Sequence, residues 1–217
     1  MQTFANASAG DIVLDMADEI VKNRGYLSDI DGKIGDGDHG VNMAKGFTMA
    51  AERIRGNDMS LAAALDTLGT VLLTEIGGSM GPLYGVLFMQ CAETIEGKDE
   101  IDAKLFAAML ASGLDGIQSI GSAQVGDKTL LDALVPALAA FNGALADGKS
   151  FSEALDALVV AAEKGRDSTK EMTARVGRAS RLGERSIGVL DAGATSCALI
   201  LKVLATDAKE KLAAAGS

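Results

Sequence analysis

Leu61-Ala-Ala-Ala-Leu65-Asp-Thr-Leu68-Gly-Thr-Val-Leu72-Leu-Thr-Glu-Ile76 decides the fold class. Its large apolar residues return every three or four positions, so Leu61, Leu65, Leu68, Leu72 and Ile76 share one stripe of a helix. The two-residue alternation of a half-buried strand is absent. Upstream, Ile12, Val13, Met16, Ile20 and Val21 give a first amphipathic face, and a second helix is predicted from about 39 to 55. Downstream, a helix follows Gly81-Pro82, where proline suits the first turn. Ile101, Leu105, Phe106, Met109 and Leu110 mark a fifth helix, and Leu131, Leu134, Leu138 and Phe141 a sixth. Ser150 with Glu153 three residues on reads as a capping box opening a seventh, through Phe151, Leu155, Leu158 and Val159. Cys197, Ile200, Leu201 and Leu204 belong to the last. Eight helices with mostly short connections favour an all-α, antiparallel up-and-down arrangement.

Composition agrees. The 217 residues suffice for one sizeable core, and 26 Gly, 2 Pro and no Trp, with Ala and Leu carrying the apolar content, favour close helix packing. A net charge of −10 argues against nucleic acid as a partner, because an acidic surface repels phosphate backbones. A nucleotide remains possible if a metal ion reverses the local sign. Cys91 and Cys197 sit in apolar stretches and are expected to be reduced core thiols. The opening MQTFANASAG lacks the basic start and apolar run of a signal peptide, and no apolar run approaches the ~20 residues of a membrane span. The expected compartment is the cytoplasm.

Glycine gathers between the helices, at 35–40, 77–85, 121–126 and 177–193, each time beside Asp, Ser, Thr or Arg. Tight turns and caps explain each cluster singly; four together point to backbone converging on a shared ligand. The first, Asp31-Gly-Lys-Ile-Gly-Asp36-Gly-Asp38-His39-Gly-Val-Asn42, spaces its carboxylates by five and then two residues. That spacing puts no single helical face in charge, but a turning loop lets the three converge. Converged carboxylates need a cation, and hard oxygens suit magnesium. The competing reading is a solvated acidic loop whose Asp38 caps the second helix.

Other motifs fail on their letters. An EF-hand counted from Asp29, Asp31 or Asp36 reaches Gly40, Asn42 or Phe47 where Glu is required. Gly35-x-Gly37-x-x-Gly40 follows no strand and carries acids that repel a bare pyrophosphate. Gly121-Ser-Ala-Gln-Val-Gly126-Asp127-Lys128-Thr129 has one residue too many for a P-loop, and Thr129 and Asp132 read as a helix cap. Gly77 to Gly85 offers amides at a helix start, Arg178 and Arg185 offer forked donors for phosphate, and Asp191 can cap the final helix. A single histidine, His39, makes a hydrolase triad unpersuasive; it reads as a phosphate donor or loop brace.

The ordered strings IGDGDHGVNMAKGF, GGSMGPLYG, GDKTLLDAL and GRASRLGERSIG…DAGATS resemble the subunit L family of dihydroxyacetone kinases. The resemblance implies one nucleotide-binding kinase domain over 1–217, an eight-helix antiparallel barrel with ADP or ATP at one end. It implies Asp31, Asp36 and Asp38 as ligands of magnesium, two ions in all, and His39, Gly40, Val41, Asn42, Gly78, Ser79 and Met80 around the phosphates. Gly121, Thr129, Leu130, Arg178, Asp191 and Gly193 fall around the nucleotide, with Arg178 stabilising the transferred group and no general base on this chain. A separate K-type subunit would hold the ketone through its histidine. Either ATP is consumed, or bound ADP is recharged by a phosphohistidine protein of the sugar phosphotransferase system. A homodimer is compatible, and a nucleotide-sensing module without catalysis is the alternative reading. Against the family pattern, Met80 stands where Ser is common, Leu130 replaces Met, and Val189, Leu190 and Ala192 replace His, Gln and Pro.

Overall fold

The computed structural model describes residues 2–216, and among them are nine α-helices and one pair of short strands. In chain order the elements are β1 (Thr3–Ala5), α1 (Asp11–Lys22), α2 (Arg24–Ile34), α3 (His39–Ile54), α4 (Leu61–Glu75), α5 (Met80–Ile95), β2 (Glu100–Asp102), α6 (Ala103–Ile120), α7 (Leu131–Ala146), α8 (Phe151–Ser168) and α9 (Ala192–Ala215). Two 3-10 stretches, Thr169–Glu171 and Arg178–Ser186, join α8 to α9, the second broken at Gly183. The fold is all-α. No helix is long and apolar enough to cross a membrane among the described residues.

Eight of the helices close a ring. α1 packs on α3, each of α3 to α8 packs on its successor, and α9 returns to α1. These eight are the helices that the periodicity predicts. The ninth, α2, escapes it. Asn23 ends α1, its amide and side chain both bonding the Glu19 carbonyl, and its own carbonyl accepts the Leu27 amide that starts α2. With only Leu27, Ile30 and Ile34 buried, α2 lies against α3 and α9. Gly40 makes this possible: a β-carbon there would strike the Arg24 carbonyl and Ser28.

Three further readings are corrected. Ile101 belongs to β2, where Phe4 is its partner across the antiparallel pair; α6 begins only at Ala103, with the Asp102 carboxylate accepting from the Leu105 amide. Val21 is 43% exposed and leaves the buried face of α1 to Ile12, Val13, Met16, Ala17 and Ile20. Asp31 lies in the last turn of α2, not in a loop. The capping box at Ser150 and Glu153 is present, and Pro82 occupies the first turn of α5.

One hydrophobic core fills the ring. Phe4, Phe106, Phe141 and Phe151 cluster with ring centroids 5.3–6.3 Å apart. Cys91 and Cys197 are buried free thiols, each pushed up to about 12 chiefly by burial, so both stay protonated and inert. Because successive ring helices alternate in direction, every second connection falls at the same end. The 35–38, 76–79, 121–130 and 169–191 connections therefore meet there, and they carry the four glycine clusters.

Candidate functional site

The four connections frame a cavity of about 520 Å³. On one side Asp31, Asp36 and Asp38 each bring a carboxylate oxygen within 4.8 Å of the others. The helical turn of α2 presents Asp31, and Gly37, at φ 78°, reverses the chain so that Asp36 and Asp38 return beside it. Asp38 precedes α3 but its carboxylate caps nothing, so the capping reading fails and its oxygens are left for another partner. Asp31 instead accepts the His39 amide at 3.3 Å. Arg178 forms an ion pair with Asp36. Three carboxylates that share one ion-pair partner among the described residues are under-compensated, and an all-oxygen donor set of this size suits a hard divalent cation.

His39 projects from the first turn of α3 to Ser196 on α9, with 3.0 Å between its Nε2 and the hydroxyl oxygen. The Ser196 hydroxyl lies 2.7 Å from the Tyr84 hydroxyl, and both hydroxyls lie within bonding reach of the Gly193 carbonyl. Burial lowers His39 to about 4, outweighing the pull of Asp31, so the ring is neutral at pH 7. The imidazole is thus a brace between α3 and α9.

The opposite side is built from backbone. Gly78, Ser79 and Met80 lead into α5, and Ser79 supplies no side-chain cap to that helix. Unsatisfied amides of this kind favour an anion. Asp132, in the first turn of α7 and 1% exposed, accepts two amides of the third connection, Gly126 at 2.6 Å and Thr129 at 2.7 Å. The sequence-level cap is therefore real, though it folds the preceding loop as well as starting α7. Between those two amides lies Lys128, the one non-glycine residue with positive φ (65°) among those described. Asp191 caps α9 through the Ala194 amide at 2.7 Å. Burial, with Asp132 and Asp31 nearby, pushes its carboxyl up to about 7 against the pull of that amide and Lys128. Pro82, Leu83, Ile117, Ile120 and Leu130 supply an apolar wall able to receive a flat ring.

Of the residues singled out from sequence, Asp31, Asp36, Asp38, His39, Asn42, Gly78, Ser79, Met80, Gly121, Thr129, Leu130, Arg178, Asp191 and Gly193 line the cavity. Gly40 does not, since it faces α2, and Val41 is 42% exposed outside it. Arg185 also lies off the cavity. Tyr84, Ser196 and Lys128 acquire their roles from contacts that no local spacing announces.

The DAK2 domain family model matches residues 33–206. This chain belongs to the DAK2 domain family. It is 36% identical over 208 residues to the "PEP-dependent dihydroxyacetone kinase 2, ADP-binding subunit DhaL" of Listeria innocua, covering 94% of this chain and 96% of that protein. It is 39% identical over 186 residues to the corresponding "PEP-dependent dihydroxyacetone kinase, ADP-binding subunit DhaL" of Escherichia coli, covering 85% and 89%. Among solved structures it resembles the dihydroxyacetone kinase from C. freundii in complex with AMP-PNP and Mg2+, with a TM-score of 0.68 and 27% identity. That match covers 95% of this chain but 35% of the C. freundii chain, so this chain spans about a third of that kinase.

Within this DAK2 chain the departures at Met80 and Ala192 are small. Met80 is largely buried in the cavity lining and Ser79 beside it keeps a hydroxyl there, while Ala192 is buried at the first position of α9, where Asp191 still caps.

Proposed function

We propose that this chain is the nucleotide-binding phosphotransferase subunit of a dihydroxyacetone-type kinase. It would take a phosphoryl group from a magnesium-bound adenine nucleotide and pass it to a small ketose or triose held by a separate K-type subunit. The observation that carries this reading is the convergence of Asp31, Asp36 and Asp38 within 4.8 Å at one side of a cavity whose far wall is apolar. A chelating cluster, anion-binding helix starts and an apolar slot are what a metal–phosphate–purine ligand requires, in that order. The names of the two bacterial relatives and the ligands in the C. freundii complex support the same ligand.

Asp31, Asp36 and Asp38 would hold the magnesium, two ions in our reading, which would supply positive charge against the phosphates when bound. The chain's own groups do the rest. The starts of α3 and α5 direct amides at the phosphates, Thr129 and Leu130 close the nucleotide side, and Arg178 stabilises charge on the transferred group. Arg178 is 63% exposed on its side chain, so it can exchange Asp36 for phosphate oxygens. His39, neutral and tied to Ser196, positions the start of α3 and takes no proton from substrate.

The donor names of both bacterial relatives favour bound ADP recharged by a phosphohistidine protein over ATP as a consumed substrate. Such a cycle belongs in the cytoplasm. Purified chain, a K-type partner and dihydroxyacetone should yield triose phosphate with catalytic ADP and a phosphoenolpyruvate-driven phosphohistidine relay. Sustained turnover on ATP without the relay would replace the recharge cycle. No phosphorylated ketose under either condition would refute the kinase.

A further inference from the structure

The segment from Met172 to Val189 is the least regular part of the chain, yet Val176, Gly177, Arg178 and Ala179 from it close one side of the cavity. It has little helical bonding of its own: one broken 3-10 stretch, with Ser186 accepting the Ala174 amide at 2.9 Å and donating to the Gly183 carbonyl at 2.7 Å. Outside it, the Asp127 carbonyl accepts the Arg175 amide, the Lys170 carbonyl accepts the Gly188 amide at 2.7 Å and Asp36 pairs with Arg178, but one side chain reaches both of its ends. Lys128, 2% exposed, donates from its ammonium to the carbonyls of Ser186 at 2.6 Å, Val189 at 2.7 Å and Met172 at 3.2 Å. Those three acceptors lie at the start, near the end and at the end of the segment. An ammonium has three donors and no more, so the residue is fully used by backbone and none is left for a ligand.

We infer that Lys128 is a positioning residue for Arg178, the strut that gathers both ends of the 172–189 segment and so sets where the guanidinium stands over the aspartates. The loop is folded to deliver it. Asp132 clamps the amides on either side, Asp127 accepts the Gln124 amide at 2.8 Å and gives its carbonyl to Arg175 at 3.2 Å, and Lys128 itself takes a left-handed conformation that L-residues rarely adopt. A buried ammonium on carbonyls alone is costly, and burial lowers its proton affinity while Asp191 nearby opposes that. Replacing it by a bulky apolar residue would leave three carbonyls without partners. The segment carries Arg175, Arg178, Arg181 and Arg185, four tryptic sites that report its order directly.

The test has one arm that needs no nucleotide and one that rests on the kinase reading above. In the full chain, Lys128→Met should speed tryptic cutting within 172–189 by roughly tenfold, with helical content retained. Lys128→Arg, which keeps charge and donors, should hold the rate within about threefold of the parent. Should the Met variant fail to fold, Lys128→Gln, with two donors for three carbonyls, must give an intermediate rate. Parental cutting in a folded Met or Gln variant overturns the proposal. In the phosphotransfer assay, Lys128→Met should lower kcat roughly tenfold but add little to Arg178→Gln, because it acts through that side chain. Additive losses would overturn the positioning role. If the parent protein transfers no phosphoryl group, the kinase reading falls, and the cutting rates still decide the strut.

Discussion

Along the ring, α4 buries Leu61, Leu65, Leu68 and Leu72 in the common core, many apolar groups of similar worth. At the site end, the 121–130 and 169–191 connections are held by single polar groups: Asp132 on two amides, Lys128 on three carbonyls, Asp191 on the first turn of α9. Apolar burial is non-directional and additive, so the wall tolerates rearrangement and holds most of the stability. Buried polar anchors are directional and costly when broken, so the rim holds a shape in which each contact is nearly irreplaceable. Stability and site geometry should therefore separate under mutation.

The largest separation is expected in the wall. Phe106→Ala removes a fully buried ring from the aromatic cluster and should cost about 3–5 kcal/mol in denaturant unfolding, with Mg–ADP affinity of the folded protein unchanged. Arg178→Gln should do the opposite, lowering kcat about 100- to 1,000-fold with an unaltered melting curve. Gly40→Ala should blur the division. Its β-carbon must push α2 off α3, costing about 1–3 kcal/mol, and because Asp31 rides on α2 the Mg–ADP affinity should fall too.

The smallest effect lies far down α9. Asp207 is about 24 Å from Asp191 along the helix, and one of its oxygens is buried without a hydrogen-bond partner. Burial, then the negative charges of Asp15 and Glu210, push its carboxyl up to about 7. A folded-state value above the unfolded one means that its stabilising contribution is complete at pH below about 4, fades as pH rises and is lost above about 7. Asp207→Asn should thus raise the melting temperature at pH 8 by roughly 2–4 °C, with the gain gone at pH 4 and nucleotide binding untouched.

The same division explains what could be read in the sequence. The eight ring helices were legible because each buries a wide apolar stripe. α2 was not, because two glycines and a three-residue stripe leave no strong period, and its start coincides with the end of α1. β1 and β2, three residues each, are too short to alternate. The aspartate cluster was legible since its members lie within eight residues and loop glycines bring them together. The links of His39 to Ser196 and of Lys128 to Ser186 span 157 and 58 residues, and only the closed ring brings such partners into contact. Lys128 in particular looked like a failed P-loop lysine; its positive φ and its three carbonyls exist only in the fold.

Calorimetric titration of ADP with and without magnesium, on the parent chain, Asp36→Ala and Asp38→Ala, reaches the centre of the account. The parent should bind ADP only when magnesium is present, and each variant should lose at least 100-fold in affinity while its circular dichroism stays that of the parent, the removed carboxylates being metal ligands and not supports. Equal ADP affinity with and without the metal, or in parent and variants, would contradict it.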